Sequence, residues 1–323
     1  MKVLHIYPIN RVGEEPSSFR KSQIKSLEKF VDDNYFFPML NRKNILKIID
    51  FALKLRKQIK KESIDVVHCH WGSILALTAA CFSTKPVIIS FCGSDLIGSY
   101  KSNKKKTFKG KTSTYISIIS SYLAKHIIVK SEELYNCLPS KCKEKASIIP
   151  NGVDSNLFFE RNKNESRKQL NLPLNKKIIL FVNRKGAWVK NPKRARLLGA
   201  KLEELNWGGF LEIVNVDQKL MPTYFSASDF LLITSIHEGS CNILKEALFC
   251  NLKIITTPTG DSALRLKGLT DCLISNSNRE IIDFVLNSSE NKFIVPKENL
   301  DPIDSKNIAN KIYNLYKKVL NKK

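Results

Sequence analysis

"FLLITSIHEGSCNILKEALFCNLKIITTPTGD", Phe230 to Asp261, decides the fold. Residues 229–235 are an apolar run of strand length, and 252–258 are another. Between them, 240–250 has the 3.6-residue spacing of a helix, with Ser240 placed to cap it. A strand, a helix and a second strand within about thirty residues form one βαβ unit. Strands this uniformly apolar are buried on both faces, so the unit belongs to a parallel sheet.

The same alternation runs outward in both directions. "KVLHIY", "DVVHCHW", "PVIISFCG" and "KHIIVKS" are strands in the first half, and "KKIILFVN" and "FLEIVNV" in the second. "SSFRKSQIKSLEKF", "ILKIIDFALKLRKQIKK", "SILALTAACF", "SEELYNCL" and "PKRARLLGAKLEEL" are helical. In the second of these helices, Ile45, Ile48, Ile49, Ala52, Leu55 and Ile59 form an apolar face opposite a basic one. A chain of 323 residues with 43% hydrophobic content suits two cores rather than one. The expected architecture is α/β, with two doubly wound parallel-sheet domains facing a cleft. One spans residues 1–153, the other 154–303, and a terminal helix over 304–323 could pack back on the first.

Net charge is +23, and both halves are basic; residues 1–150 alone carry 26 bases against 12 acids. That balance favours an anionic partner: a phosphorylated substrate, phospholipid or nucleic acid. No apolar run reaches the ~18 residues of a membrane span, and no secretory signal is evident. Eight scattered cysteines form no CxxC pair and no zinc spacing, as in a reducing compartment without structural metal. The expected location is the cytoplasm, peripheral to the inner face of the membrane.

Ligands of doubly wound sheets bind beyond the carboxyl ends of the strands. The opening stretch puts Glu238 after a strand and Glu246 in the following helix, about 80° apart around a helical axis. The free N–H groups at the helix start suit phosphate, and a carboxylate on either side suits hydroxyls. Together they suggest a nucleotide sugar. Arg184 and Lys190 in "NRKGAWVK" follow another strand and suit a departing diphosphate. Alone, the two glutamates read as ordinary surface acids, with Glu246 pairing with a lysine, and Arg184 and Lys190 as a solvated basic loop.

Taken together, the stretches resemble a known family. "FLLITSIHEGSCNILKEALFCNLKIITTPTGD" resembles the signature of retaining glycosyltransferases of family 4, which have the GT-B fold and an E-x7-E motif. "IIPNGVDSNLF" is similar to that family's interdomain segment, and "NRKGAWVKNP" to its arginine–lysine diphosphate site. "VVHCHWG", "SFCGSDLIG" and "IIVKSEELYNCLP" resemble its first-domain strand ends, in order.

The resemblance implies a nucleotide-sugar donor and a lipid-linked saccharide acceptor in bacterial surface polysaccharide or lipopolysaccharide assembly, with no cofactor and no metal. It implies that Glu238 contacts the donor sugar and Glu246 the ribose, while Arg184 and Lys190 stabilise the leaving diphosphate. Gly239, Ser240, Cys241 and Asn242 would offer backbone N–H groups to the donor, and Gly13 would let the first loop approach the diphosphate. The chain departs from the pattern at Val12-Gly13, where many members have two glycines. It departs again at Cys92, where many have a histidine; Asp95 or His70 could take that place.

His70 could contact the acceptor or be a hydrogen-bonded structural residue, and His68 reads as core. "SYKSNKKKTFKGK" packs Lys104, Lys105, Lys106 and three further lysines around Tyr100 and Phe108. It reads either as a solvated loop or as a contact with an anionic membrane surface. A non-enzymatic binder of polyanions or nucleic acid is the alternative that the charge suggests, although no helix-turn-helix or RNA motif accompanies it.

Overall fold

The computed structural model describes residues 1–40, 44–100, 106–184, 186–289 and 291–321. The chain forms two compact units. Met1–Gly152 with Ser305–Lys323 make the first, and Val153–Asp304 the second.

In the first unit the strands are β1 (Lys2–Pro8), β2 (Asp33–Met39), β3 (Val66–Cys69), β4 (Val87–Phe91), β5 (His126–Val129) and β6 (Ala146–Ile148). They form one sheet in the order β2-β1-β3-β4-β5-β6, and the pairs are parallel. Side chains alternate along each strand, so each strand feeds two cores. Leu4, Val67, Ile89 and Ile127 face one layer, with Leu55 and Ile59 of the helix Ile45–Lys61 and Leu75 of the helix Ser73–Phe82. Val3, Val66, Ile88 and Ile128 face the other, with Leu27 and with Ile308, Ile312 and Tyr316 of the helix Ser305–Asn321.

The second unit has β7 (Ile178–Asn183), β8 (Gly209–Val214), β9 (Phe230–Ile233), β10 (Lys253–Thr256) and β11 (Leu273–Ile274). Their order is β11-β10-β9-β7-β8, again with parallel pairing. Leu180, Leu231 and Ile254 pack towards the helix Asn242–Phe249. Ile179, Leu232 and Ile255 pack towards the helices Pro192–Glu204 and Asn278–Leu286. In both units the strand order reverses beside the first strand, between β1 and β3 and between β7 and β9. These are the switch points where a doubly wound sheet opens to a ligand.

Several elements differ from the sequence reading. β2 escaped it because "DNYFFPM" contains a proline; at the sheet edge that proline costs no ladder bond. The lysine-rich stretch read as a loop runs into a helix, Phe108–Leu123, capped by Thr107, whose Oγ1 accepts from the Gly110 N–H at 2.9 Å. Lys101–Lys105, and with them the expected membrane contacts Lys104 and Lys105, lie outside the described residues; Lys106 is exposed. The helix Ile45–Lys61 buries Phe51, Ala52, Leu55 and Ile59, but Ile45 and Ile49 of its expected apolar face are exposed. Ser240 does not cap the helix of the opening stretch. That helix starts at Asn242 after Cys241, and the Ser240 hydroxyl is used elsewhere. The eight cysteines are free.

Candidate active site

The second unit gathers charge at its switch point. Beyond β7 the backbone curls through Ala187 into a 3-10 turn, Trp188–Lys190, closed by the Lys190 N–H donating to the Ala187 carbonyl at 3.0 Å. This loop is tied to the end of β9. The Thr234 hydroxyl donates to the Lys190 carbonyl at 2.8 Å, and the Ile236 N–H to the Val189 carbonyl at 2.8 Å. The result brings two residues 48 apart in sequence into contact: Lys190 Nζ donates to Glu238 Oε1 at 2.6 Å. The Ser235 hydroxyl donates to the same oxygen at 2.8 Å. Burial pulls the Lys190 ammonium down, but Glu238 and Glu246 outweigh it, and the group lies above its usual range. It stays charged at neutral pH. Only one of its three N–H donors is used within the described residues.

Arg184 stands one residue beyond β7, exposed, with no ion pair for its guanidinium among the described residues. Arg184 and Lys190 thus flank one loop, one cation free and the other held by a carboxylate.

Gly239 and Ser240 complete the turn after Glu238. Above them lies Gly260 at φ +58°, where a Cβ would stand 3.0 Å from the Glu238 carbonyl oxygen. Only glycine lets the "TPTG" loop lie so close. The Ser240 hydroxyl donates to Asp261 Oδ2 at 3.1 Å and accepts from Lys245 Nζ at 3.0 Å. Asp261 is buried and paired to Arg265 Nε at 2.8 Å. Cys241 is buried, and burial followed by the Glu238 charge pushes its thiol up to about 12. It remains a neutral thiol, so its place in the site is its backbone. The helix starting at Asn242 turns its amino-terminal end, the positive end of its dipole, back at this loop.

Glu246 lies one turn into that helix and accepts from Gln218 Nε2 at 2.9 Å. Burial pushes its carboxyl up to about 7, with Gln218, Lys245 and Lys190 pulling weakly the other way. The partner expected for an ordinary surface glutamate was a lysine; the structure supplies an amide. The sequence reading missed Gln218, Lys245, Asp261 and Arg265. Gln218 and Asp261 did fall within strand-end segments, "NVDQ" and "TPTGD", that the switch-point rule singles out. A cavity of about 600 Å³ lined by Arg161, Lys177, Trp207 and Asp229 lies at the amino-terminal ends of β7 to β9, the sheet edge opposite Lys190 and Glu238.

In the first unit, His70 follows β3 and joins His5 and His68 in a buried trio whose ligand-type atoms lie within 4.8 Å of one another. The sequence reading foresaw no such cluster. His5 Nδ1 and His70 Nε2 are hydrogen-bonded at 2.9 Å, and His5 Nε2 meets Asn34 Oδ1 at 2.7 Å. His68 bonds the Tyr316 hydroxyl at 2.6 Å and the Ser90 hydroxyl at 2.7 Å. Five ring nitrogens are thereby occupied, and the nearby Arg20 and Lys130 charges oppose a cation. The trio pins the terminal helix to the sheet.

Asp95 is fully buried. Its carboxylate accepts from the backbone N–H groups of Gly72 (2.9 Å), Cys92 (3.0 Å) and Gly93 (2.8 Å). It therefore holds the β3 and β4 loops together rather than presenting a free carboxylate. Gly13 is exposed at φ +78°, a conformation that favours glycine by itself.

Two doubly wound parallel units with their charged loops at the switch points make a GT-B fold. The fold matches HepE of Anabaena in complex with UDP, with a TM-score of 0.73 at 15% identity, covering 98% of this chain and 100% of that one. Residues 14–157 match the model of Glycosyltransferase Family 4. A UDP-Gal:alpha-D-GlcNAc-diphosphoundecaprenol alpha-1,3-galactosyltransferase of Escherichia coli is 24% identical, over 89% of this chain and 82% of that protein. TuaC of Bacillus subtilis, assigned as a glycosyltransferase of teichuronic acid biosynthesis, is 25% identical; the match covers 66% of this chain and 58% of TuaC, less than two thirds of its length. The family match thus covers most of the first unit, and both of these relatives carry the names of glycosyltransferases.

Proposed function

We propose that the protein transfers a sugar, with retention of anomeric configuration and without a metal, from a nucleotide-sugar donor to a lipid-linked saccharide acceptor in bacterial surface polysaccharide or lipopolysaccharide assembly. The observation that carries this reading is the Lys190–Glu238 pair at the second switch point. Lys190 keeps its charge and has donors to spare, and Arg184 on the same loop has no ion pair among the described residues. As the bond from the sugar to the diphosphate breaks, the electron pair passes to the leaving oxygen. Both cations then gain in interaction energy, which is what lowers a barrier. They would supply the charge that a metal supplies elsewhere.

Glu238 plays two roles in this reading: it orients Lys190, and its remaining acceptor capacity receives a donor-sugar hydroxyl. Glu246 receives the ribose hydroxyls. Gly239, Ser240, Cys241 and Asn242 offer main-chain N–H groups, and Gly13 brings the first loop to the diphosphate. The acceptor hydroxyl attacks from the face the diphosphate leaves, and its proton goes to the departing phosphate oxygen. The lipid-linked acceptor is supported by the similarity to the Escherichia coli enzyme, and the nucleotide by the UDP complex of HepE.

We place the chain in the cytoplasm, peripheral on the inner membrane face. No helix of the described residues is long and apolar enough to cross a membrane. Contact with an anionic surface is supported by basic and exposed apolar residues on the same helices, among them Phe108 and Tyr115, with Lys104, Lys105 and Lys106 beside them in sequence.

The test is turnover of a sugar nucleotide identified by thermal-shift screening. Lys190→Ala or Arg184→Ala should lower kcat by roughly 10²–10³. Proton NMR should find the product's anomeric configuration equal to the donor's, and a chelator should leave the rate intact. Full turnover by Lys190→Ala, or inversion, would overturn the reading.

A further inference from the structure

Lys130 follows β5 in the first unit and is fully buried, yet its Nζ has no hydrogen-bond partner among the described residues. Arg20, also buried, has an unpartnered Nε. Its guanidinium lies 5.7 Å from the Trp71 ring centroid and hydrogen-bonds the Cys92 thiol. Trp71 and Cys92 are half-buried, so this group lies just beneath the surface at the ends of β3 and β4.

The two cations lie within electrostatic reach of each other, and Asp95 is the carboxylate within reach of Lys130. The Asp95 oxygens are already taken by three backbone N–H groups. Burial lowers the Lys130 ammonium, and Arg20 lowers it further against the pull of Cys92 and Asp95. A buried, unpaired ammonium is a strongly unfavourable arrangement that a methionine would avoid. An arginine fork and a lysine point charge within electrostatic reach of each other suit a phosphate, and two cations suit a diphosphate. The histidine trio next to them is neutral and offers no competing charge.

We propose that Lys130 and Arg20 form an oxyanion-binding subsite of the first unit, and that its ligand is the phosphate of the lipid-linked acceptor. The second half of this statement rests on the acceptor class proposed above. Neither residue is part of the donor machinery. They act as specificity determinants: an acceptor presenting a phosphate neutralises the pair, and one lacking it leaves two buried charges exposed to no partner.

The experiment is calorimetric titration of pyrophosphate into full-length protein carrying Arg184→Ala and Lys190→Ala, which removes the donor-side cations. Binding should persist, and adding Lys130→Met or Arg20→Gln should weaken it at least tenfold. In the absence of ligand, Lys130→Met should raise Tm, because it removes an unpaired buried charge; a lysine with only a packing role would lower it. Pyrophosphate should raise the Tm of the Arg184→Ala/Lys190→Ala protein and not that of the same protein carrying Lys130→Met. Absence of pyrophosphate binding in the donor-side double variant, or binding indifferent to Lys130→Met, overturns the subsite. Farnesyl diphosphate separates the sources: it should bind at least as well as pyrophosphate and respond to Lys130→Met. If pyrophosphate alone responds, the ligand is free phosphate and the acceptor assignment falls. These readouts are binding constants and melting points, so loss of the sugar-transfer reading would leave them standing as a separate result.

Discussion

At the scale of single residues, the site depends on how charge is removed from water. Lys190 keeps its proton because Glu238 touches it; burial raises the Glu246 carboxyl against the weaker pull of its Gln218 partner. The Glu246 carboxyl rises from 4.5 to about 7 in the folded chain. A raised acid stabilises the fold below its unfolded value and loses that contribution as pH rises through the folded one. Stability should therefore fall between about pH 4.5 and pH 7, by roughly 2 kcal/mol once partial exposure is discounted. Glu246→Gln stays neutral throughout, so its Tm should lack that slope. A parallel slope in both proteins, measured by calorimetry from pH 5 to pH 8, would remove the assignment. Both glutamates stood out in the sequence, because two acids in an apolar, glycine-bearing stretch need a reason. Their partners Lys190 and Gln218 lie 48 and 28 residues away, and no local pattern couples such positions.

Elements add what single residues do not show. On the helix Ile45–Lys61, the exposed Ile45, Leu46, Ile49 and Leu53 fall within about 100° of one another at 100° per residue. Leu46 is 72% exposed and Leu53 65%. Lys57 and Lys60 stand on or beside the same arc, exposed. An apolar stripe edged by lysines is suited to an anionic lipid surface. The double variant Leu46→Ser, Leu53→Ser should reduce co-sedimentation with anionic vesicles by about tenfold or more, since each leucine contributes roughly 1.5–3 kcal/mol on full burial. Raising salt to 1 M shortens the Debye length to ~3 Å and should remove the lysine contribution while leaving part of the leucine one. Hydrolysis of the sugar nucleotide in solution should not change. Unaltered sedimentation of the double variant would mean that the stripe meets something other than lipid. The sequence reading places Ile45 and Ile49 on one apolar face with Leu55 and Ile59, because periodicity finds an apolar arc without saying which part of it the sheet covers.

For the whole molecule, the two units respond to acid in opposite ways. In the first, burial lowers His5 to about 4 and holds His68 and His70 well below 6.5. A depressed base stabilises the fold above its unfolded value and loses that contribution as pH falls through the folded one. The first unit should therefore weaken from about pH 6.5 downward, while Glu246 strengthens the second over much of the same interval. Hydrogen exchange, corrected for intrinsic rates, should show β1 and β3 losing protection between pH 7 and pH 5 before β7 and β9 do. Equal loss in both units would contradict this. His68 also joins the terminal helix to the sheet through Tyr316, 248 residues away in sequence, so protonation there should loosen both together.

The sequence by itself determined the class of fold. Apolar strands alternating with amphipathic helices can bury their surfaces only as doubly wound parallel sheets, and the switch-point residues follow from where strands end. It also carried Arg184, Lys190, Glu238 and Glu246, because charged residues beside glycine at apolar strand ends are locally conspicuous. Only the tertiary structure decided what those charges touch, that Asp95 holds backbone rather than ligand, that three histidines share one core, and that Lys130 is buried without a partner. Those facts depend on distances between side chains remote in sequence, which are set by sheet order and register once the whole unit has packed.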